Sequence, residues 1–119
     1  MAGNSAFRMV TTAAELETAI RQFIQLLEKG LKVEAIVLFS SHARGTAYED
    51  SDIDLAVISP DFEDLPMYRR QERISDLSIH RPSNLSPIGY PSSEYHDPGP
   101  HSFLREIVRT VKVVYPPKP

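Results

Sequence analysis

Residues 38–57 read LFSSHARGTAYEDSDIDLAV, two apolar segments joined by a small, polar one. The first segment completes the run VEAIVLF at 33–39, which is short, apolar and partly β-branched, and so predicts a buried strand. The second begins the run IDLAVIS at 53–59 and predicts another strand, ended by Pro60. The candidate functional residues of this part of the chain lie in the polar connection and at the start of the second strand.

Two carboxylates stand at the start of the second strand. Asp52 and Asp54 are two residues apart, so both side chains leave the same face of a strand, while Ile53 and Leu55 point into the core. Carboxylates this close repel each other unless a cation neutralises them, and a pair of oxygen ligands suits Mg²⁺ beside substrate phosphates. Taken alone, such a pair is more often an exposed acidic strand edge.

The polar connection offers groups that favour an anion. Ser40 and Ser41 begin a turn that we expect to lead into a short helix, whose free N–H groups attract negative charge. Arg44 adds a guanidinium fork suited to phosphate, and Gly45 allows the backbone to approach closely. Taken alone, this pattern is more often an ordinary helix cap followed by a solvated arginine.

Together the two halves resemble a known signature. The pattern SxARGxAxxxSDIDLxV is similar to that of minimal nucleotidyltransferases of the DNA polymerase β superfamily, which reads Gly-Ser, a spacer usually containing Ala-Arg-Gly, then Ser-Asp-hydrophobic-Asp. The residues that carry the resemblance are Ser41, Arg44, Gly45, Ser51, Asp52 and Asp54. The resemblance extends from about the first predicted helix to Tyr115.

The resemblance implies a fold, a reaction and a set of site residues. The fold would be α/β (α+β), a small mixed β-sheet flanked by helices. Asp52 and Asp54 would be the catalytic acids and the ligands of Mg²⁺ or Mn²⁺, with Ser41 on the nucleotide phosphates. A nucleoside monophosphate, with ATP as the expected donor, would pass to a hydroxyl with release of pyrophosphate. The nucleotide-binding residues would be Ser40, Ser41, Arg44, Gly45 and Ser51.

The sequence departs from the signature at two positions. Ser40 stands where the family has glycine, and its Cβ can crowd the phosphate or disfavour a positive φ. Catalytic members take a third carboxylate from a later strand, which NLSPIGYPSSEY at 84–95 resembles, and Ser86 holds that position here. Glu94 and Asp97 are the nearby alternatives, and a structure that brings either to the acid pair would restore the third ligand.

The remaining elements follow from periodicity and punctuation. Thr12 and Glu15 form a capping box before a helix predicted at 13–29, with Gly30 as its C-cap. Further helices are predicted at about 67–77 and from Phe103 to Val111, a short strand at about 85–90 and an extended segment at 113–115. We expect a flexible arm at 1–10, a single domain at 11–115 and a disordered tail at 116–119.

Composition narrows the function. The chain has 119 residues, no cysteine and a formal net charge of -3. Disulfide scaffolds and thiol chemistry are excluded, binding to long nucleic acid is disfavoured, and no segment has the length of a membrane helix. We therefore expect a cytoplasmic protein. The small size predicts an acceptor site that another chain completes, either a partner protein or a second copy.

Several other side chains are weaker candidates. The four histidines show no metal-binding spacing, although His42 lies inside the expected phosphate turn. Arg69, Arg70 and Arg73 could receive an acidic partner, but a solvated helix face is the more common role. Core packing or loop anchoring is likewise more common than base stacking for the tyrosines, which include Tyr48, Tyr68, Tyr90 and Tyr95.

Three functions remain open on the sequence. The first is an enzyme that resembles the antitoxin half of bacterial toxin–antitoxin pairs and adenylylates an all-helical HEPN partner. The second is a binding module that keeps the nucleotide pocket but, lacking the third carboxylate, acts only by contact. The third is a structural subunit with a relic motif.

Overall fold

The computed structural model describes residues 12–39, 53–82, 84–110 and 113–116. Four helices and four strands occur in these ranges, together with a 3-10 turn at Pro60–Phe62 that follows the second strand. The helices are α1 (Ala13–Leu27), α2 (Met67–Leu77), α3 (Ser92–His96) and α4 (Phe103–Thr110). The strands are β1 (Ala35–Phe39), β2 (Ile53–Ser59), β3 (Leu85–Pro91) and β4 (Val113–Tyr115).

The strands form one mixed sheet in the order β3-β2-β1-β4. β1 pairs antiparallel with both β2 and β4, whereas β2 and β3 run parallel. The predicted small mixed sheet flanked by helices is therefore confirmed. Parallel pairing requires a crossover, and α2 with its flanking turns supplies it between β2 and β3.

Each face of the sheet is covered by different helices because side chains alternate along the strands. On one face, Ile36 and Leu38 of β1 and Leu55 of β2 pack with α1 and with Ile74 of α2. On the other face, Val37 and Ile58 pack with Tyr90 and with Leu104 of α4. Both central strands are consequently buried on both sides, as their continuous apolar runs predict.

The start of α1 is as predicted, but its end is not. Thr12 Oγ1 accepts the Glu15 backbone N–H and the Glu15 side chain accepts from Thr12 N, which completes the capping box. The prediction of Gly30 as the C-cap is wrong: the helix ends at Leu27 and Glu28 caps it with an ordinary helical φ of -69°. Gly30 instead allows close packing, because a Cβ there would lie 3.0 Å from Leu77 Cδ2.

The outer edge of β3 is covered by side chains. Gln71 of α2 donates to Pro87 O and accepts from Gly89 N, and Arg70 donates to Gly89 O. Arg81 donates to Leu85 O, the next outward carbonyl along the strand. The backbone nitrogen of Pro87 points away from β2. The lack of an N–H on proline therefore removes no hydrogen bond between β2 and β3. The edge is thus closed to further strand pairing.

The 15-residue α1 is the longest helix. No helix within the described ranges is both long and apolar enough to span a membrane.

Candidate functional site

The candidate site centres on the amino end of β2, where Asp54 is half-buried. Asp54 lies between Phe39 of antiparallel β1 and Ser86 of parallel β3. It shares its sheet face with Ala56 and Ile58, while Ile53 and Leu55 are fully buried on the opposite face. The predicted alternation of this strand is confirmed, and it directs the carboxylate to the face that α4 covers.

The Asp54 carboxylate has no hydrogen bond or ion pair with any other residue that the structure describes. A half-buried carboxylate is stabilised by a nearby positive charge, and a metal cation is one group that supplies it. A hard oxygen donor near the end of a strand fits Mg²⁺ or Mn²⁺. Asp54 is therefore suited to the metal-binding role that the sequence predicts for it.

Most of the predicted site falls outside the described residues. This holds for the catalytic and metal-binding Asp52 and for the phosphate-binding set Ser40, Ser41, Arg44, Gly45 and Ser51. It also holds for His42 and Tyr48. The roles given to these residues stay predictions.

The position expected for the third carboxylate lies beside Asp54. Ser86 is the register partner of Asp54 on parallel β3, so both side chains leave the same face of the sheet, on strands about 4.8 Å apart. The prediction of a strand within 84–95 is confirmed, because β3 spans Leu85–Pro91. The side chain at the critical position is a hydroxyl rather than a carboxylate.

Glu94 and Asp97 do not replace it. They follow Pro91, which pairs with Ser59 at the far end of β2, about 16 Å from Asp54 along the strand. Glu94 there accepts a hydrogen bond from the Ser102 hydroxyl, and Asp97 caps α3. The described ranges contain no group of three His, Asp or Glu side chains that could hold a metal ion.

The arginines of α2 serve the fold. Arg70 donates to Leu65 O and Gly89 O, and Arg73 donates to Gly30 O across to the end of α1. Arg69 pairs with Glu72 in an exposed ion pair. Two of the three guanidiniums are thus bound to backbone carbonyls, which leaves less of this helix face for an acidic partner.

The aromatic side chains include two tyrosines that pack in the core, as expected, and two rings that are exposed. Tyr90 is buried and Tyr95 packs against the same cluster, while Tyr68 is exposed on α2. Phe103 begins the predicted final helix and is 57% exposed, with its ring against Phe39. Helical periodicity does not reveal this, because the first residue of a helix can lie beyond the surface that its later residues cover.

Comparison with known proteins fits this geometry. The family described as "Polymerase beta, Nucleotidyltransferase" matches residues 21–118, a range that includes the strand of Asp54 and the strand of Ser86. The chain belongs to this nucleotidyltransferase family.

This nucleotidyltransferase is similar in sequence to proteins from Methanocaldococcus jannaschii. One is 33% identical over 69 residues, covering 56% of this chain and 68% of the relative. Another is 34% identical over 65 residues, covering 55% of this chain and 72% of the relative. Each carries the name "Putative protein adenylyltransferase".

A solved structure supports the fold of this nucleotidyltransferase. The crystal structure named as that of a "putative nucleotidyltransferase" from Sulfolobus solfataricus superposes with a TM-score of 0.55. The two chains are 19% identical, and the match covers 66% of this chain and 69% of the other.

Proposed function

We propose that this protein is a Mg²⁺-dependent adenylyltransferase that transfers AMP from ATP to a hydroxyl group of a partner protein, with Mn²⁺ as an alternative metal. The observation that carries the proposal is the half-buried Asp54 at the amino end of β2, which has no partner among the described residues. Membership of the nucleotidyltransferase family supports the reaction class. The names of the archaeal relatives favour a protein as the acceptor.

The proposed roles divide between metal binding and phosphate binding. Asp52 and Asp54 would hold the metal, and the metal would supply charge neutralisation and activation of the acceptor hydroxyl. Ser40, Ser41 and Gly45 would present hydroxyls and backbone N–H groups to the phosphates, together with Ser51, which precedes β2 in the sequence. Arg44 would neutralise phosphate charge with its guanidinium. The buried face of β2 behind Asp54 holds this carboxylate in place, because Ile53 and Leu55 are fully buried.

The proposed acceptor is a helical HEPN-type protein, with this chain as the antitoxin of a cytoplasmic toxin–antitoxin pair. The support is the resemblance of residues 38–57 to minimal nucleotidyltransferases. A second copy of the chain is the alternative partner.

A second candidate function is a binding module that holds the nucleotide but does not transfer it. Ser86 favours this function, because a hydroxyl beside Asp54 supplies no negative charge to a second metal ion. Glu94 and Asp97 cannot compensate from the other end of β3.

One experiment separates the two functions. The protein is incubated with ATP labelled on the α-phosphate and Mg²⁺, together with a co-expressed HEPN-type partner, and both binding and label transfer are measured. Transfer that disappears in Asp52→Asn and Asp54→Asn supports the adenylyltransferase. Binding without transfer supports the module, and absence of both contradicts the proposal.

Asp64→Asn is the matched control. It makes the same chemical change at an exposed site, and Asn tolerates the positive φ of 61° found there. Its binding and transfer should equal those of the unmodified protein.

A further inference from the structure

An exposed aromatic ring lies on the same sheet face as Asp54. Phe103 begins α4, the helix that packs on this face through Leu104. Its ring contacts that of Phe39 edge to face, with centroids 6.0 Å apart and an angle of 82° between the planes. Phe39 in turn is the register partner of Asp54 on β1. Phe39 therefore lies next to Asp54 on the adjacent strand, and the Phe103 ring lies next to Phe39.

The exposure of Phe103 is unusual for its place in the fold. The other large hydrophobic residues exposed in the described ranges are Met67, Tyr68 and Ile79, which belong to α2 and the turn after it. That helix packs on the opposite face through Ile74. Only 9% of Phe39 is exposed, so Phe39 acts as the fixed support and Phe103 as the accessible ring.

The ring arrangement leaves room for a flat ligand. In an edge-to-face pair, Phe39 covers at most one face of the Phe103 ring, so the other face can accept a stacked ring. A nucleobase has two π-faces and stacks on aromatic side chains with little regard to its hydrogen-bonding edge. The proposed function assigns residues to the metal and to the phosphates of a nucleoside triphosphate, and it leaves the base without an assigned residue.

The geometry points to Phe103, supported by Phe39, as the stacking platform for the nucleobase of the bound nucleotide. This inference rests on the proposed nucleotide-binding function at Asp54 and adds a subsite to it. Stacking alone does not select one base, so the platform accepts purines generally and strengthens binding without reading their edges.

The test compares a ligand that has a base with one that lacks it. Affinities for Mg·ATP and Mg·tripolyphosphate are measured by calorimetry for the unmodified protein and for Phe103→Ala, Phe103→Trp and Asp54→Asn. We expect Phe103→Ala to bind ATP roughly 5- to 100-fold more weakly and to leave tripolyphosphate binding unchanged. Phe103→Trp should retain ATP binding, and Asp54→Asn should weaken both ligands.

Tyr68→Ala is the control, because it removes an exposed aromatic ring from α2 instead. Its ATP affinity should not change. A thermal unfolding midpoint for Phe103→Ala close to that of the unmodified protein shows that any loss is not a folding defect.

Four results overturn the inference. Equal loss of both ligands, or no loss of either, in Phe103→Ala excludes stacking while the proposed function stands. Unchanged ATP affinity with weaker label transfer to the acceptor protein assigns Phe103 to protein contact instead. No binding of ATP to the unmodified protein overturns the inference and the proposed function together.

Discussion

Ser86 lies directly beside Asp54 on the neighbouring parallel strand, with its side chain on the same face of the sheet. The backbone of this nucleotidyltransferase therefore places position 86 where a third carboxylate could lie next to Asp54. The side chain at this position is a hydroxyl. Strand pairing fixes this relationship, because the register continues unbroken from Ile53 and Leu85 to Ser59 and Pro91.

Replacement of Ser86 by aspartate should create a stronger metal site. Without a divalent cation, Ser86→Asp should lower the thermal midpoint, because two carboxylates on adjacent strands repel each other. Mg²⁺ should reverse the loss and stabilise the variant by about 2.7 kcal/mol at a concentration 100 times its dissociation constant. Thermal unfolding with and without Mg²⁺ measures both effects.

Ser86→Asn is the matched control for that variant, since it has the same shape without the charge. Its midpoint should not respond to Mg²⁺ more than that of the unmodified protein. An equal response of Ser86→Asp and Ser86→Asn to Mg²⁺ would show that position 86 does not share a cation with Asp54.

Removal of the Gln71 side chain should destabilise the fold through β3. Gln71 satisfies both Pro87 O and Gly89 N, so Gln71→Ala leaves two partly buried backbone groups without their partner. We expect a loss of about 1–3 kcal/mol in the free energy of unfolding, measured by urea denaturation. Glu72→Ala is the control on the same helix. Its exposed ion pair with Arg69 should contribute less than about 1 kcal/mol, and equal losses in the two variants would refute the edge-covering role.

The sequence predicts elements well where a local signal is strong. The bounds of β2 and α2 are as predicted, because β2 is a largely apolar run that ends at a proline, and α2 follows another proline. α3 was not predicted, since five residues after a proline carry too little periodicity to distinguish a helix from a loop. The hydrogen bonds of Ser93 in α3 to Glu63 join residues 30 positions apart, which a local sequence pattern does not reveal.

The site shows the same division between local and long-range information. Alternation along β2 correctly directs Ile53 and Leu55 inward, leaving Asp54 on the other face. The distance from Asp54 to Glu94 and Asp97 depends on the parallel direction of β3, which no local pattern specifies. The exposure of Phe103 likewise depends on how α4 docks on the sheet.

Addition of a methyl group at Gly89 should disrupt the contact between β3 and α2. A Cβ there would lie 2.8 Å from Phe62 Cε2 and 3.0 Å from Arg70 Cβ. Phe62 is fully buried and cannot move away freely, so Gly89→Ala should cost about 1–3 kcal/mol of stability in urea denaturation. Gly99→Ala is the control, because nothing lies within 4 Å of the added atom. A stability of Gly89→Ala equal to that of Gly99→Ala would contradict the packing described.

Glu63 should make stability depend on pH in the acid range. Hydrogen bonds from the backbone N–H and then the hydroxyl of Ser93 lower the pKa of the Glu63 carboxyl below its ordinary value of 4.5. A carboxyl with a lowered folded-state pKa stabilises the fold fully above the unfolded-state value, and the contribution is lost as pH falls through the folded-state value. Glu63→Gln should therefore be less stable than the unmodified protein at neutral pH, and the difference should shrink below pH 4.5. Chemical denaturation across this range measures the difference.

Ser93→Ala keeps the backbone hydrogen bond, which has the larger effect, so it should show a smaller change of the same sign. A difference between Glu63→Gln and the unmodified protein that stays constant with pH would show that these hydrogen bonds do not favour the ionised carboxylate.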